Sequence, residues 1–489
     1  VSDLDSNLDP RRWRALFVIA LAQLMVVLDA SIVNIALPKA ALDLHISPQN
    51  YQWTVTAYLL TFGGFLLLGG RIADFVGRRK VFMFGLSGFA AASVLGGVAQ
   101  NQGMLYGARA LQGLFGALLA PAALSLISVI FTDSKERAKA FAVYGALSGV
   151  GASIGLILGG ALTQYWGWRW CLFVNAPLAV VAVLLAVRNV TESKVPGDTR
   201  YDVPGALTAT FGMLAVVYGV SEASTYGWHA VKSWGFIVPG VVLLALFVFI
   251  ESKVTNPLFP LRLLTRIRSG AYVTQLISAT GLYGLFLFMT FYFQDVLGYS
   301  AVKAGLCFLP FSLGIIVSAT VASQLLPKVG PRPLGTVGLS MGAIGLLLLS
   351  TLNVHVPYFT HVALPMLTMS LGLGQVFVAS SSTALFNTPP HDTGAASALL
   401  NTTQQVGGSF GTAVQNTIYA TALASYLAAH HIMGKPSPAQ LGSANVHGFD
   451  MAFRFGSLAL ALSALVFFVM VNIDRHHLGQ HDDVASAFV

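Results

Sequence analysis

Residues 14–37 read RALFVIALAQLMVVLDASIVNIAL, an apolar stretch whose one internal ionisable group is Asp29. A helix needs about 20 mostly apolar residues, each rising ~1.5 Å, to cross the hydrocarbon of a bilayer. This stretch has that length. It lacks alternation at period two, so an outer-membrane barrel strand is not the pattern. Thirteen similar stretches follow, near 51–70, 80–99, 104–130, 139–163, 170–187, 204–222, 233–250, 270–294, 302–326, 333–352, 357–379, 396–427 and 451–472. The sequence therefore predicts an all-α polytopic membrane protein with fourteen spans.

Composition agrees with that reading. Of 489 residues, 27 are Lys or Arg and 19 are Asp or Glu, a charged share of 9 %. Ordinary soluble domains carry about a quarter. Apolar residues reach 55 % and the mean hydropathy is +0.72. So few charges cannot cover soluble domains of this length, which excludes the soluble and disordered classes. The net charge of +8 would suit nucleic acid only if the cations formed one basic face, and no nucleic-acid partner is expected.

The cations instead follow the loops. With the N-terminus in the cytoplasm, 20 Lys and Arg fall in cytoplasmic loops and tails, 6 on the opposite side, and one, Arg109, inside a span. That asymmetry predicts a multi-pass protein of the cell membrane with both termini cytoplasmic. No cleavable signal is expected, because the first apolar stretch is full length and no small-residue processing site follows it. Cys171 and Cys307 fall in or beside spans and read as buried thiols, not as a disulfide or metal site. The histidines lie in loops, tails or span ends, and no phosphate-binding loop of the GxxxxGK[ST] kind occurs. No cofactor or metal is expected.

The longest cytoplasmic connections, 188–203 and 251–269, bracket spans seven and eight. The expected organisation is a six-helix bundle over 1–190, two linker helices over 191–260 and a second six-helix bundle over 261–489. A weak internal echo supports two repeated halves. Gly70–Arg79 after span two and Pro327–Pro333 after span ten are both short, basic and glycine-containing.

Several segments carry a resemblance to a known family. The loop after span two reads Gly70-Arg71-Ile72-Ala73-Asp74-Phe75-Val76-Gly77-Arg78-Arg79-Lys80, and span one ends Leu28-Asp29-Ala30-Ser31-Ile32-Val33-Asn34-Ile35-Ala36-Leu37-Pro38. Span four carries Arg109-Ala110-Leu111-Gln112-Gly113, and span five places Gly151, Gly155, Gly159 and Gly160 around Leu156. Further matches are Gln52-Trp53 with Tyr58, Trp168-Arg169-Trp170 with Asn175-Ala176-Pro177, and Gly298-Tyr299-Ser300 with Gly305. Together these resemble the major facilitator superfamily, in its fourteen-span drug–proton antiporter branch, over nearly the whole chain. Departures are Phe75 where a basic residue is usual, Ser31 where Thr is common, and Leu156 where the antiporter motif has proline. The resemblance implies that Arg109 supports proton transfer.

The residues also have a physical reading of their own. An ionisable group inside a span is expensive and faces a cavity or a partner. Asp29 and Arg109 sit at comparable depth in the outer half. Asp29 either exchanges a proton, tuned by the guanidinium, or forms a static ion pair with Arg109; Gln112, one turn on, can hydrogen-bond in the same place. Gly70, Asp74, Gly77, Arg78 and Arg79 read as a conformational gate. In it Asp74 would meet the positive N-terminal end of span thirteen, though the basic residues also suffice as topology determinants. Gly151, Gly155 and Gly159 lie four apart on one face, with Gly160 beside them, and read as helix packing.

Span thirteen carries Asn401, Gln405, Gly408, Thr412 and Gln415 on one stripe, which faces either a solute pathway or another helix. Candidate substrate contacts are Tyr58, Tyr283, Phe286, Asn401, Gln405 and Gln415. Asp450 and Arg454 read as a local pair at a helix start. No cluster of His, Asp, Glu or Cys suggests an enzyme. The function expected is proton-driven export of hydrophobic or amphipathic small molecules, a multidrug or antibiotic efflux. The alternative is proton-coupled import of a small polar solute, which would need a more polar cavity.

Overall fold

The structure, a computed structural model, describes residues 11–131, 134–193, 202–254, 257, 261–354, 356–388, 393–431 and 436–473. It is all-helical among those residues. The first group comprises α1 (Arg12–Asp43), α2 (Trp53–Val76), α3 (Arg78–Gly97), α4 (Gln102–Ile130), α5 (Ser134–Tyr165), α6 (Trp170–Phe173) and α7 (Asn175–Asn189). Then come α8 (Val203–Tyr226) and α9 (Val231–Glu251). The last group is α10 (Arg266–Phe291), α11 (Ala301–Cys307), α12 (Leu309–Val329), α13 (Pro331–Leu349), α14 (Leu364–Leu385), α15 (Thr393–Ala429) and α16 (Pro438–Met470).

Among the described residues, 11 helical segments are long and apolar enough to cross a membrane. The stretch around α15 is not one of them, because Asn401, Thr402, Thr403, Gln404, Gln405, Gln415 and Asn416 make it polar.

Prolines account for the interruptions. Pro177 has no N–H to give to the carbonyl four residues back and crowds it, and the chain breaks at Val174 between α6 and α7. Pro310 does the same between α11 and α12, at Phe308. A π turn over Phe359–Ala363 leads into α14 just before Pro365. Pro38 lies inside α1, which runs on to Asp43 and not only to residue 37.

One expectation needs correction. The last helix starts at Pro438, not near 451, so Asp450 and Arg454 pair in mid-helix at 2.7 Å. Its first turns are too polar for a hydropathy reading. They are set by a capping box, in which Ser437 accepts from the Gln440 N–H and Gln440 reaches back to Ser437.

The two largest apolar cores lie in the two groups of helices. One gathers Phe82, Phe89, Leu126 and Phe131 from α3 and α4 with Ala182 of α7. The other gathers Phe288, Phe308, Phe311, Phe449, Phe453 and Phe467 from α10 to α16. The α8–α9 hairpin lies against α2 and α15, where Leu60, Val217, Val220 and Ala413 form a small cluster of their own. Thr210 donates to the Gly64 carbonyl at 2.8 Å.

The two ends of the bundle differ. At the end opposite the N-terminus of α1, Gln294 Nε2 donates to Ile35 O at 2.9 Å, and Asn416 Nδ2 donates to Pro48 O and Gln49 O at 3.1 Å. Tyr51 stacks on Phe291 with centroids 4.3 Å apart. Residues 32–38 of α1 and 287–293 around the end of α10 are all buried there. Toward the basic end, Gln23, Leu24 and Val27 of α1 and Leu276 and Ile277 of α10 are only half-buried, and Asn401 of α15 is exposed. The two groups of helices are sealed at one end and looser at the other.

Candidate functional site

Asp29 lies 17 residues into α1, about 26 Å from its start, and has no solvent exposure. Three side chains donate to its carboxylate. Arg109 Nη1 reaches Oδ2 at 2.5 Å, while Gln112 Nε2 and Asn175 Nδ2 reach Oδ1 at 2.8 and 2.7 Å. The donors come from α4 and from the first residue of α7, so the site exists only because α1, α4 and α7 meet.

The surrounding shell fixes these partners. Arg109 Nε donates to Thr54 O at 3.0 Å, and its Nη1 also reaches Gln112 Oε1 at 2.8 Å. The guanidinium carbon sits 4.5 Å from the centroid of the Tyr58 ring, a cation–π contact. Ser93 of α3 accepts from Gln112 Nε2 at 2.6 Å and from Asn175 Nδ2 at 3.3 Å, and donates to Phe89 O at 2.8 Å. Arg109, Gln112, Ser93 and Asn175 are all buried. A low-dielectric pocket thus holds one anion and one cation in direct contact, with Arg109, Gln112 and Asn175 all donating to the anion.

Small residues make the approach possible. A Cβ on Gly113 would stand 2.1 Å from Thr61 Oγ1 and 2.3 Å from Tyr58 O, so α2 and α4 touch backbone to backbone. Gly151, Gly155 and Gly159 of α5 face Leu24, Val27, Leu28, Ser31 and Ile32, the stretch of α1 that carries Asp29. Gly160 faces Ala301 and Val302 of α11 instead. The glycine face therefore packs against α1, and its last member against the other helix group. Leu156 is buried, and its carbonyl lies 2.4 Å from where a Cβ on Gly305 would be.

The loop between α2 and α3 is tied to the end of α7. Gly77 has φ +122°, a conformation that side chains disfavour. Glu192, just after α7, accepts from the backbone N–H groups of Arg79 and Lys80 at 3.1 and 3.2 Å and so caps α3. Arg78 N donates to Ser193 O at 3.1 Å, and Arg79 Nη2 to Val187 O at 2.9 Å. These contacts hold the loop to its own helix group. The Asp74 side chain lies outside the described residues. Gly70 approaches Pro121 of α4, at 3.4 Å from a would-be Cβ.

The stripe on α15 divides. Gln405 Oε1 accepts from Tyr283 Oη at 2.8 Å, near the crossing of α2 and α15, where a Cβ on Gly63 would lie 2.9 Å from Gln405 Cβ. Asn401, nearer the basic end, is exposed. Gln415 is buried and donates to Thr280 O, so its contacts are those of packing between α15 and α10. Phe286 packs on Phe308 and Phe311.

Reading the sequence for embedded charges finds Asp29 and Arg109, but passes over Ser93, Asn175 and Glu192 as site groups. Buried polar residues in otherwise apolar spans are the signal that points to Ser93 and Asn175. Among the described residues, no group of three or more His, Cys, Asp or Glu could hold a metal.

The profile of the Major Facilitator Superfamily matches residues 19–412. The chain is 46 % identical over 469 residues to the puromycin resistance protein pur8 of Streptomyces alboniger, covering 95 % of this chain and 92 % of that one. It is 36 % identical to the cephamycin export protein CmcT of Amycolatopsis lactamdurans, covering 83 % and 84 %. It is 33 % identical to the tetracenomycin C resistance and export protein of Streptomyces glaucescens, covering 85 % and 77 %. Among solved structures, the POT family transporter PepTSo superposes with a TM-score of 0.69 at 14 % identity, covering 96 % of this chain and 99 % of that one. An inward-facing bacterial homologue of the human lysosomal transporter Spinster superposes with a TM-score of 0.66 at 15 % identity, covering 95 % and 97 %.

Proposed function

The chain belongs to the Major Facilitator Superfamily, and from that premise we propose that it exports hydrophobic or amphipathic antibiotic-like molecules by proton-coupled alternating access. It is a multi-pass membrane transporter of the drug-efflux kind, as its relatives named for puromycin resistance, cephamycin export and tetracenomycin C export support. The finer reading places it in the fourteen-span branch, with α6–α7 and α11–α12 each counted as one broken span. Helices α8 and α9 then form the linker pair between two six-helix bundles.

The distribution of Lys and Arg supports a cytoplasmic position for the basic end and both termini. On that orientation the end tied by Gln294, Asn416 and Tyr51 faces outside, and the looser, basic end faces the cytoplasm, the side from which an exporter loads. Gln405, Tyr283 and Asn401 lie along the loading side, and Tyr58 joins the Arg109 site to the crossing of α2 and α15.

One observation carries the coupling. Asp29 is a wholly buried carboxylate whose partners are a single arginine and two amides. A proton added there leaves the Arg109 charge without its counter-ion and so alters the helix contacts that the pair holds. The two ends of the transport cycle then differ by one proton at Asp29. The test is pH-gradient-driven uptake of puromycin, a cephamycin and tetracenomycin C into proteoliposomes. Asp29→Asn is expected to abolish the pH-driven component while leaving downhill exchange of labelled substrate. Full gradient-driven transport by Asp29→Asn overturns the coupling assignment.

A further inference from the structure

We propose that Asn175 is the positioning residue that lets Asp29 exist in both protonation states, turning its side-chain amide from donor to acceptor when the carboxyl becomes neutral. The proposal rests on the reading of Asp29 as the proton-exchanging group.

The need for such a residue follows from the hydrogen-bond inventory. An ionised carboxylate only accepts, whereas a carboxylic acid also carries an O–H that must find an acceptor. Around Asp29, Arg109 only donates. Gln112 donates through Nε2, and its Oε1 is taken by Arg109 at 2.8 Å. Ser93 gives its hydroxyl proton to Phe89 O at 2.8 Å and accepts from both amides, with no contact to Asp29 among the described hydrogen bonds. The described shell therefore suits the anion alone.

Asn175 carries the missing acceptor. Its Nδ2 donates to Asp29 Oδ1 at 2.7 Å and to Ser93 Oγ at 3.3 Å, while its buried Oδ1 has no hydrogen-bond partner among the described residues. A buried amide oxygen left unpaired is unfavourable and asks for a second arrangement in which it is used. Rotation of the terminal amide exchanges oxygen and nitrogen in place, and the terminal torsion of asparagine is broad enough for that. The oxygen then faces the Asp29 hydroxyl, and the Ser93 hydroxyl turns its proton from Phe89 O toward Asn175. Asn175 itself neither gains nor loses a proton.

The backbone supports this role. Asn175 is the first residue of α7, directly after the break that Pro177 imposes at Val174. That start sets the Asn175 amide beside the Asp29 carboxylate.

Infrared difference spectra of the full chain in lipid, between alkaline and acid pH, test the proposal. The acid C=O band of Asp29 is identified by its loss in Asp29→Asn. In the wild type it is expected at the frequency of a hydrogen-bonded acid, and in Asn175→Ala it should move to higher frequency. Asn175→Ser, whose hydroxyl both donates and accepts, should return the band toward the wild-type position. Asparagine carrying 13C in its side-chain amide should place a label-sensitive amide band in the wild-type spectrum, a readout that needs no variant. An Asp29 band already at the free-acid frequency, no movement in Asn175→Ala, or no label-sensitive amide change each overturns the role of Asn175. An acid band unaffected by Asp29→Asn instead overturns the proton reading on which the proposal stands.

Discussion

Arg109 Nη1 and Asp29 Oδ2 meet at 2.5 Å, with neither side chain exposing more than 2 % of its surface. The pair belongs to one network with Gln112, Asn175 and Ser93, so the cost of disturbing it depends on what remains charged. Arg109→Ala strands the Asp29 carboxylate and is expected to lower stability by about 3–5 kcal/mol, the usual penalty for a buried charge left alone. The double variant Asp29→Asn/Arg109→Gln removes both charges and should recover most of that loss while remaining uncoupled. Denaturation of the purified protein in detergent measures both; equal stabilities for the single and double variants would contradict the pairing.

Tyr58 presents its ring to the Arg109 guanidinium at 4.5 Å from its centroid and stacks on Phe62. A desolvated cation–π contact contributes about 2 kcal/mol. Tyr58→Phe keeps the ring face and is expected to keep both stability and the pH dependence of substrate binding. Tyr58→Leu removes the quadrupole together with part of the volume, and should lose more than that amount and shift the pH profile. Matching pH titrations of substrate binding in the two variants would show that Tyr58 contributes volume alone.

The sequence made the apolar helices and the embedded pair legible because both depend on local facts. Apolar runs of sufficient length must cross a bilayer, and a charge inside one must find a partner. The arrangement around Asp29 was less legible. Ser93 and Asn175 are ordinary polar residues whose role appears only when α3 and α7 close on α1. Glu192 follows a helix and reads as a loop acid, yet it caps α3 because Gly77, at φ +122°, turns the chain toward it. Polar residues on α15 show the same limit. Asn401 and Gln415 share a stripe, but one is exposed and the other serves as helix packing, a distinction set by which neighbours arrive.

Gly155 faces Ser31 across the α1–α5 contact, and a Cβ there would stand 2.7 Å from Ser31 Cβ. Gly155→Ala is thus an overpacking substitution, expected to cost about 1–3 kcal/mol and to push α1 away from its place beside Arg109. The obstacle is a side chain, so Gly155→Ala/Ser31→Gly should regain much of the stability and of the transport rate. Vesicle transport alongside thermal unfolding checks this. Failure of Ser31→Gly to relieve Gly155→Ala would mean that the backbone of Leu28, whose carbonyl is 3.2 Å from the same Cβ position, sets the limit.

Alternating access requires the sealed end to open once per cycle. Gln164 at the end of α5 accepts from the Val302 N–H of α11 at 3.3 Å, joining the two helix groups at that end. Cys171 and Cys307 are buried, so they offer little competition to thiols introduced at the surface. Cysteines at Gln164→Cys and Val302→Cys, joined by a short bifunctional thiol reagent, are expected to hold this end shut. Transport should stop, while substrate binding from the basic end should persist, because the cross-link leaves that end untouched. Cleaving the linker should restore transport. Continued transport by the cross-linked protein would mean that the contact between α5 and α11 stays closed throughout the cycle, and that the seam between α2 and α15, bridged by α8, is the one that parts.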